Sequence, residues 1–137
     1  MRYPIILKKI IHNSKYIIKK SILPNYIFLD WSKSHNNLGD ILNPFILGKL
    51  TSKSIINVSA NYCFDNHLLA IGSVLGRANS KSIVWGSGLI SEDSFFTSSP
   101  KKIHAVRGPL TRKIILNNGI DCPEIYGDPA LLISRYY

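Results

Sequence analysis

The sequence predicts an α/β domain in which helices cover both faces of a parallel sheet, and two observations support that fold class. From Tyr26 onward, short runs rich in apolar residues alternate with helical stretches. The runs are continuously apolar, which is typical of strands that are buried on both faces of a parallel sheet. Each run also ends in a glycine or a polar loop, as strands do before a turn into the next helix.

Six strands and three helices are predicted in this part of the chain. The strands are residues 26–31, 55–58, 68–71, 83–85, 103–106 and 124–126. The helices are residues 43–50, residues 109–118 and a segment that starts at Asp128. Asn43 and Asp128 each precede a proline, so both are predicted to cap a helix whose first residue is that proline. Residues 91–102 are predicted to form a surface loop.

Residues 1–24 are predicted to form a basic amphipathic helix ahead of the domain, which occupies residues 25–137. Apolar residues recur there at helical spacing, and lysines occupy much of the remaining surface. The same lysines interrupt the apolar stretch that a secretory signal would need. Two interpretations remain open. The helix packs on its own domain, or it lies on an anionic membrane surface.

The composition fits one globular domain in a reducing compartment. The chain has 137 residues, of which 45% are hydrophobic and 18% are charged. Its two cysteines, Cys63 and Cys122, lie far apart, which argues against a disulfide framework or a zinc site and favours a cytoplasmic location. No apolar run approaches the roughly 20 residues that cross a bilayer. The net charge of +9 is concentrated before Asp30, which argues against a nucleic-acid partner.

Small and polar residues follow the predicted strands, at the sheet edge where ligands of parallel sheets bind. Glycines there allow a ligand to approach the backbone, and the starts of the following helices favour an anion. Arg107 can hold a carboxylate or phosphate through two parallel hydrogen bonds. These residues predict a pocket for an anionic small molecule. The set is Asn37, Gly39, Asp40, Gly72, Ser73, Gly86, Ser87, Gly88, Arg107, Gly108 and Asp128.

Several of these residues have a structural interpretation as well. Asp40 and Asp128 are both suited to capping a helix, and Arg107 to forming a salt bridge at the rim of the sheet. Residues 86–91 begin like the dinucleotide motif GxGxxG, but a serine replaces the third glycine. His35 is predicted to be a solvated loop residue. His104 is predicted to be structural, because it points to the opposite face of its strand from Arg107.

Five motifs, taken in order, resemble the polysaccharide pyruvyl transferase family. They are NLGDILNP at 37–44, AIGSVL at 70–75, VWGSG at 84–88, HAVRGPLTR at 104–112 and YGDPALL at 126–132. No single motif is specific, but the series is specific in this order and spacing. It covers most of the chain from residue 26 onward.

The resemblance implies that residues 25–137 are the N-terminal, Rossmann-like half of a two-domain fold similar to that of GT-B glycosyltransferases. It implies phosphoenolpyruvate as the donor substrate, without a cofactor or a metal. The acceptor would be a sugar or lipid-linked oligosaccharide of an exopolysaccharide or cell-surface glycan, which receives pyruvate as a ketal. Asp40, as a base on the acceptor hydroxyl, and Arg107, on the donor, would be the catalytic residues. The other strand-end residues would bind substrate.

Members of that family carry a second half with further basic residues and a histidine suited to act as the general acid. We therefore expect the isolated chain to be inactive. Its exposed cleft face favours self-association or binding of a complementing C-terminal half. Two alternatives remain open: half of a GT-B glycosyltransferase that uses a nucleotide-sugar, and a non-catalytic α/β module at a membrane surface. Attachment to a membrane would place the protein on the inner face of the cytoplasmic membrane.

Overall fold

The computed structural model describes residues 5–22, 25–33, 37–94, 96 and 98–136. Its centre is a five-stranded sheet in the order β2-β1-β3-β4-β5. The strands are β1 (Tyr26–Asp30), β2 (Ser54–Val58), β3 (His67–Leu69), β4 (Ser82–Trp85) and β5 (Lys102–Ala105). Every adjacent pair is parallel. This confirms the parallel α/β fold that the continuous apolar runs predict. His35 lies outside the described residues, as do positions 1–4, 23 and 24 of the predicted N-terminal helix.

In the described part of the chain, three α-helices and two 3₁₀ segments accompany the sheet. The helices are α1 (Ile5–Ile22), α2 (Leu38–Thr51) and α3 (Pro109–Asn117). The 3₁₀ segments are Leu75–Arg77 and Pro129–Arg135. Within the described ranges, no helix is both long enough and apolar enough to cross a bilayer.

Apolar side chains cover both faces of the sheet. On one face, Leu29 and Ala70 of the sheet region pack with Ile46 of α2, and the segment Pro129–Arg135 joins this cluster through Ile133. On the other face, a larger cluster includes Leu69, Val84 and Ile115, the last from α3. A third cluster surrounds Phe28, Ile56 and Val58 at the β2 side. The two covered faces leave the carboxyl edge of the strands as the open side of the sheet.

The start of α2 differs from the prediction. The helix begins at Leu38, and the side chain of Asn37 caps it by accepting a hydrogen bond from the Gly39 N–H at 2.9 Å. Asn43 is therefore not a cap but a fully buried residue inside the helix. Its amide nitrogen donates to the Ile71 carbonyl at 2.9 Å, and its Oδ1 accepts from the Ile71 N–H at 3.2 Å. This pairing joins α2 to the end of β3 across a sequence separation that no local pattern reveals.

The sixth predicted strand is reduced to one bridge. Val106 and Tyr126 form an isolated parallel bridge, in which the Val106 N–H donates to the Ile125 carbonyl at 3.0 Å. The helix predicted after Asp128 is a 3₁₀ helix, and Asp128 caps it as predicted, with Oδ1 accepting from the Ala130 N–H at 2.9 Å.

Candidate functional site

The carboxyl edge of the sheet opens into a cleft of about 700 Å³. The loops after β1 and β3 line it together with the start of α2, and Arg107 and Asp128 reach it from the loops after β5 and the Val106–Tyr126 bridge. Seven of the predicted site residues therefore meet in one space, as the strand-end rule leads us to expect. They are Asn37, Gly39, Asp40, Gly72, Ser73, Arg107 and Asp128.

Neighbouring residues fix the guanidinium of Arg107 at this cleft. Its Nη1 donates to Ser73 Oγ at 3.1 Å, and its Nη2 donates to the Leu89 carbonyl at 3.0 Å. A Cβ atom at Gly88 would lie 2.5 Å from the Arg107 Cζ, so the glycine provides the space that the guanidinium occupies. Arg107 forms no salt bridge among residues that the structure describes. These contacts use two of the five N–H donors of a guanidinium and leave the others for an anion.

Hydrogen bonds hold the loops after β3, β4 and β5 together behind this guanidinium. Ser87 is fully buried, and its hydroxyl donates to the Gly72 carbonyl at 2.9 Å. The same carbonyl accepts from the Gly88 N–H at 3.0 Å, and the Arg107 N–H donates to the Ser87 carbonyl at 3.2 Å. The Ser87 side chain therefore positions the loops and does not line the cleft. Gly72 has a φ of +100° with open space where a side chain would project.

Gly86 and Gly108 also lie outside the lining of the cleft. Gly86 has a φ of +89°, and a Cβ there would overlap Pro129 and lie 2.5 Å from the Gly127 carbonyl oxygen. Because Gly86 has no side chain, the end of β4 can lie close to the loop before Pro129. Gly108 is the N-cap residue of α3 and lines an adjoining cavity of about 380 Å³. Arg107 borders both cavities.

Two carboxylates lie at helix starts on the rim of the cleft. Asp40 is half-buried in the first turn of α2, and its Oδ1 accepts a hydrogen bond from the Ser32 N–H at 3.2 Å. In Asp128, Oδ1 accepts the capping hydrogen bond from the Ala130 N–H. Each carboxylate has a second oxygen for which the described residues provide no recorded hydrogen bond. Asp40 and Asp128 both line the cleft, so a hydroxyl bound there could give its proton to either carboxylate.

The ion pair between the buried Asp30 and the partly exposed Arg77 is a further feature of the cleft, which the sequence did not predict. Arg77 lines the cleft and donates from Nη1 to Asp30 Oδ1 at 2.9 Å. Asp30 is only 1% exposed at the end of β1, and its Oδ2 accepts from the Ala60 N–H at 2.8 Å. Burial raises the pKa of Asp30, and the Ala60 hydrogen bond and the charge of Arg77 partly offset that effect. The one signal in the sequence is an acidic residue that ends an otherwise apolar strand.

The cleft thus combines one fixed guanidinium, one salt-bridged guanidinium and two carboxylates. Such a set can bind a small anion and accept a proton from a hydroxyl beside it. Across the described ranges, no three His, Cys, Asp or Glu side chains are grouped in a way that would hold a metal ion. Comparison with known proteins yields no family model, no curated protein and no solved structure that matches this chain.

Proposed function

We propose that this chain is the donor-binding half of a polysaccharide pyruvyl transferase, with a GT-B-like partner half across the cleft. Its donor is phosphoenolpyruvate, and its acceptor is a sugar of an exopolysaccharide or cell-surface glycan. The observation that carries the proposal is the Arg107 guanidinium, held by Ser73 and Leu89 over Gly88 at the carboxyl edge of a parallel sheet. The five motifs that resemble the family contribute most of the residues around it.

The arrangement of charges favours the Arg107 side of the cleft as the position of the donor. Phosphoenolpyruvate carries a carboxylate and a phosphate, and the planar fork of an arginine matches either group. Arg77 adds a second guanidinium, but the bond to Asp30 neutralises part of its charge. Asp40 and Asp128 repel an anion, so the donor belongs beside Ser73 and Gly72 rather than beside the carboxylates.

The acceptor sugar then belongs beside the two carboxylates. In the proposed reaction, a proton is added to the methylene carbon of the donor, and a sugar hydroxyl attacks the adjacent carbon. A second hydroxyl replaces the phosphate at that carbon, which completes the cyclic ketal and releases inorganic phosphate. Asp40 accepts the proton that an attacking hydroxyl loses. Arg107 stabilises the negative charge on the donor while the bond to phosphate breaks.

The partner half supplies the proton donor and the closure of the cleft. An open cleft leaves the reacting carbon in contact with water, which weakens electrostatic stabilisation. We therefore expect the 137-residue chain to bind phosphoenolpyruvate without turning it over. Phosphate release that requires both an acceptor sugar and Arg107 would show instead that the chain alone is sufficient.

Binding of phosphoenolpyruvate to the chain, measured by calorimetry or ligand-observed NMR, tests the proposal. Arg107→Ala should weaken binding by at least about tenfold, since hydrogen bonds to charged groups contribute roughly 1.5–3 kcal/mol each. Lys113→Ala is the matched control, because it removes one positive charge from an exposed position of α3. Equal binding by the wild type and Arg107→Ala would refute the assignment. Displacement of phosphoenolpyruvate by uridine diphosphate would favour a nucleotide-sugar glycosyltransferase.

A further inference from the structure

Helix α1 touches the rest of the protein through a polar edge. The side-chain amide of Asn13 donates to the Tyr62 carbonyl at 2.9 Å and accepts from the Phe64 N–H at 3.2 Å. The ammonium group of Lys9 lies 5.9 Å from the centre of the Phe64 ring. Among the α1 side chains that the structure describes, only Lys9 and Asn13 are partly buried. For the described part of α1, the buried side-chain contacts with the domain are therefore polar interactions made by Asn13 and Lys9.

The apolar side chains of α1 remain exposed. All eight of its isoleucine and leucine side chains are solvent-accessible, from 38% for Leu7 to 73% for Ile6. At 3.6 residues per turn, seven of them form one continuous arc. These are Ile6, Leu7, Ile10, Ile11, Ile17, Ile18 and Ile22. An exposed apolar face that contains seven large side chains indicates a binding site for an apolar partner.

The sheet of the domain is not the apolar partner of this helix face. A cavity of about 390 Å³ is lined by Lys19 and Ile22 of α1 and by Ile55 and Asn57 of β2. Open space therefore lies between the end of the helix and the edge strand. The side chain of Ile22 is 69% exposed although β2 is its neighbour. The interpretation in which α1 packs on its own domain accounts for none of the exposed arc.

The charges of α1 distinguish between the possible partners of its apolar face. Lys8, Lys15 and Lys19 are exposed on the part of the helix beside the apolar arc, and α1 contains no acidic residue. A second copy of α1 against the first would bring these lysines together without a compensating carboxylate. An anionic lipid surface satisfies both features, because acyl chains accept the isoleucines while long lysine side chains reach the phosphates.

We propose that α1 binds to bilayers that contain anionic phospholipids and lies in the plane of the headgroups. This proposal rests on α1 alone and is independent of the reaction proposed above. Each lysine near a negatively charged membrane strengthens binding by roughly fivefold. The apolar arc determines whether the helix inserts into the boundary between headgroups and acyl chains.

Co-sedimentation of the full chain with lipid vesicles tests this proposal. Wild-type protein should bind vesicles of phosphatidylcholine and phosphatidylglycerol strongly, and vesicles of phosphatidylcholine alone weakly. Ile10→Asp with Ile17→Asp should reduce binding to the anionic vesicles by more than about tenfold, since each change buries a charge in place of a large apolar side chain. Leu110→Asp with Leu131→Asp is the matched control, because both leucines are at least 65% exposed outside α1.

Charge reversal and oligomeric state complete the test. Lys15→Glu with Lys19→Glu should reduce binding to the anionic vesicles and leave the weak binding to neutral vesicles unchanged. Equal sedimentation of the wild type and the Ile10→Asp, Ile17→Asp variant would overturn the proposal. The proposal would also be overturned if the wild type were a dimer that does not bind vesicles and if the Ile10→Asp, Ile17→Asp variant were a monomer. In that case a second copy of the chain would cover the apolar arc. Circular dichroism of each variant verifies that the domain is folded.

Discussion

Replacing Gly88 with alanine tests whether the position of the Arg107 guanidinium determines anion binding. The new Cβ would lie 2.5 Å from the Arg107 Cζ, whereas non-bonded carbon atoms approach to roughly 3.5–4.0 Å. The atoms that it meets are the end of a flexible side chain, so the guanidinium moves and the backbone stays. That movement breaks the hydrogen bonds of Arg107 to Ser73 and Leu89.

The expected effect follows from the bonds that the displaced guanidinium can no longer make. A hydrogen bond to a charged group contributes about 1.5–3 kcal/mol. Loss of one such bond to the ligand weakens binding by about 10- to 150-fold. We expect that reduction in affinity for phosphoenolpyruvate, together with a loss of up to about 2 kcal/mol in the free energy of unfolding, because the exposed Arg107 side chain gives up two hydrogen bonds while no core contact is removed.

Calorimetry with phosphoenolpyruvate and urea unfolding measure the two quantities on the same samples. Gly48→Ala is the matched control, because the nearest heavy atom to a Cβ there is 3.9 Å away, and α2 should gain stability from the change. The double variant Gly88→Ala, Arg107→Ala should bind no more weakly than Arg107→Ala alone. A folded Gly88→Ala variant with wild-type affinity would refute the reasoning, because the displaced guanidinium would then be irrelevant to binding.

The remaining predictions concern stability. Gly86→Ala should lower the free energy of unfolding by about 2–4 kcal/mol, because a left-handed residue meets the Gly127 backbone there; an unchanged urea midpoint would contradict this. Asn43→Leu should cost about 2–5 kcal/mol in thermal unfolding, since it leaves the N–H and carbonyl of Ile71 unpaired in the core; a loss below about 0.5 kcal/mol would contradict the pairing. Burial lowers the pKa of His67 from its ordinary 6.5, so the unfolded state takes up the proton first as the pH falls. The stability that neutral His67 contributes is thus complete above the ordinary pKa and declines as the pH falls below it toward the folded pKa. Urea unfolding at about pH 7.5 and about pH 5.5 should show a smaller decline for His67→Gln than for the wild type, and equal declines would contradict the assignment.

The parallel sheet was predictable because the inner strands β1, β3 and β4 contain no exposed residue and therefore lack polar alternation. The cap at Asp128 was predictable because the aspartate and the following proline act locally. The same local signal at Asn43 was misleading. The side chain of Asn43 pairs with the backbone of Ile71, which lies 28 positions away in the sequence. Asn37 caps the helix instead. A local pattern cannot distinguish these two outcomes, because a tertiary contact decides between them.

The location of the cleft was also predictable, since the strand-end rule places its residues at one edge of the sheet. The separate roles of residues 86–88 could not be predicted from the sequence. Gly86 permits a close backbone approach, Ser87 joins loops, and Gly88 provides space for Arg107. These roles depend on packing between loops that are distant in sequence. The pair of Asp30 and Arg77 was missed for the same reason, because 47 residues separate its members.

Backbone amide NMR of the labelled chain during titration with phosphoenolpyruvate tests most directly whether the Arg107 side of the cleft is the donor site. We expect the shifts to concentrate at Gly72, Ser73, Gly88 and Arg107, and to disappear in Arg107→Ala. Shifts confined to the cavity that Lys9 and Lys81 line, or shifts that persist in Arg107→Ala, would contradict the proposed donor site.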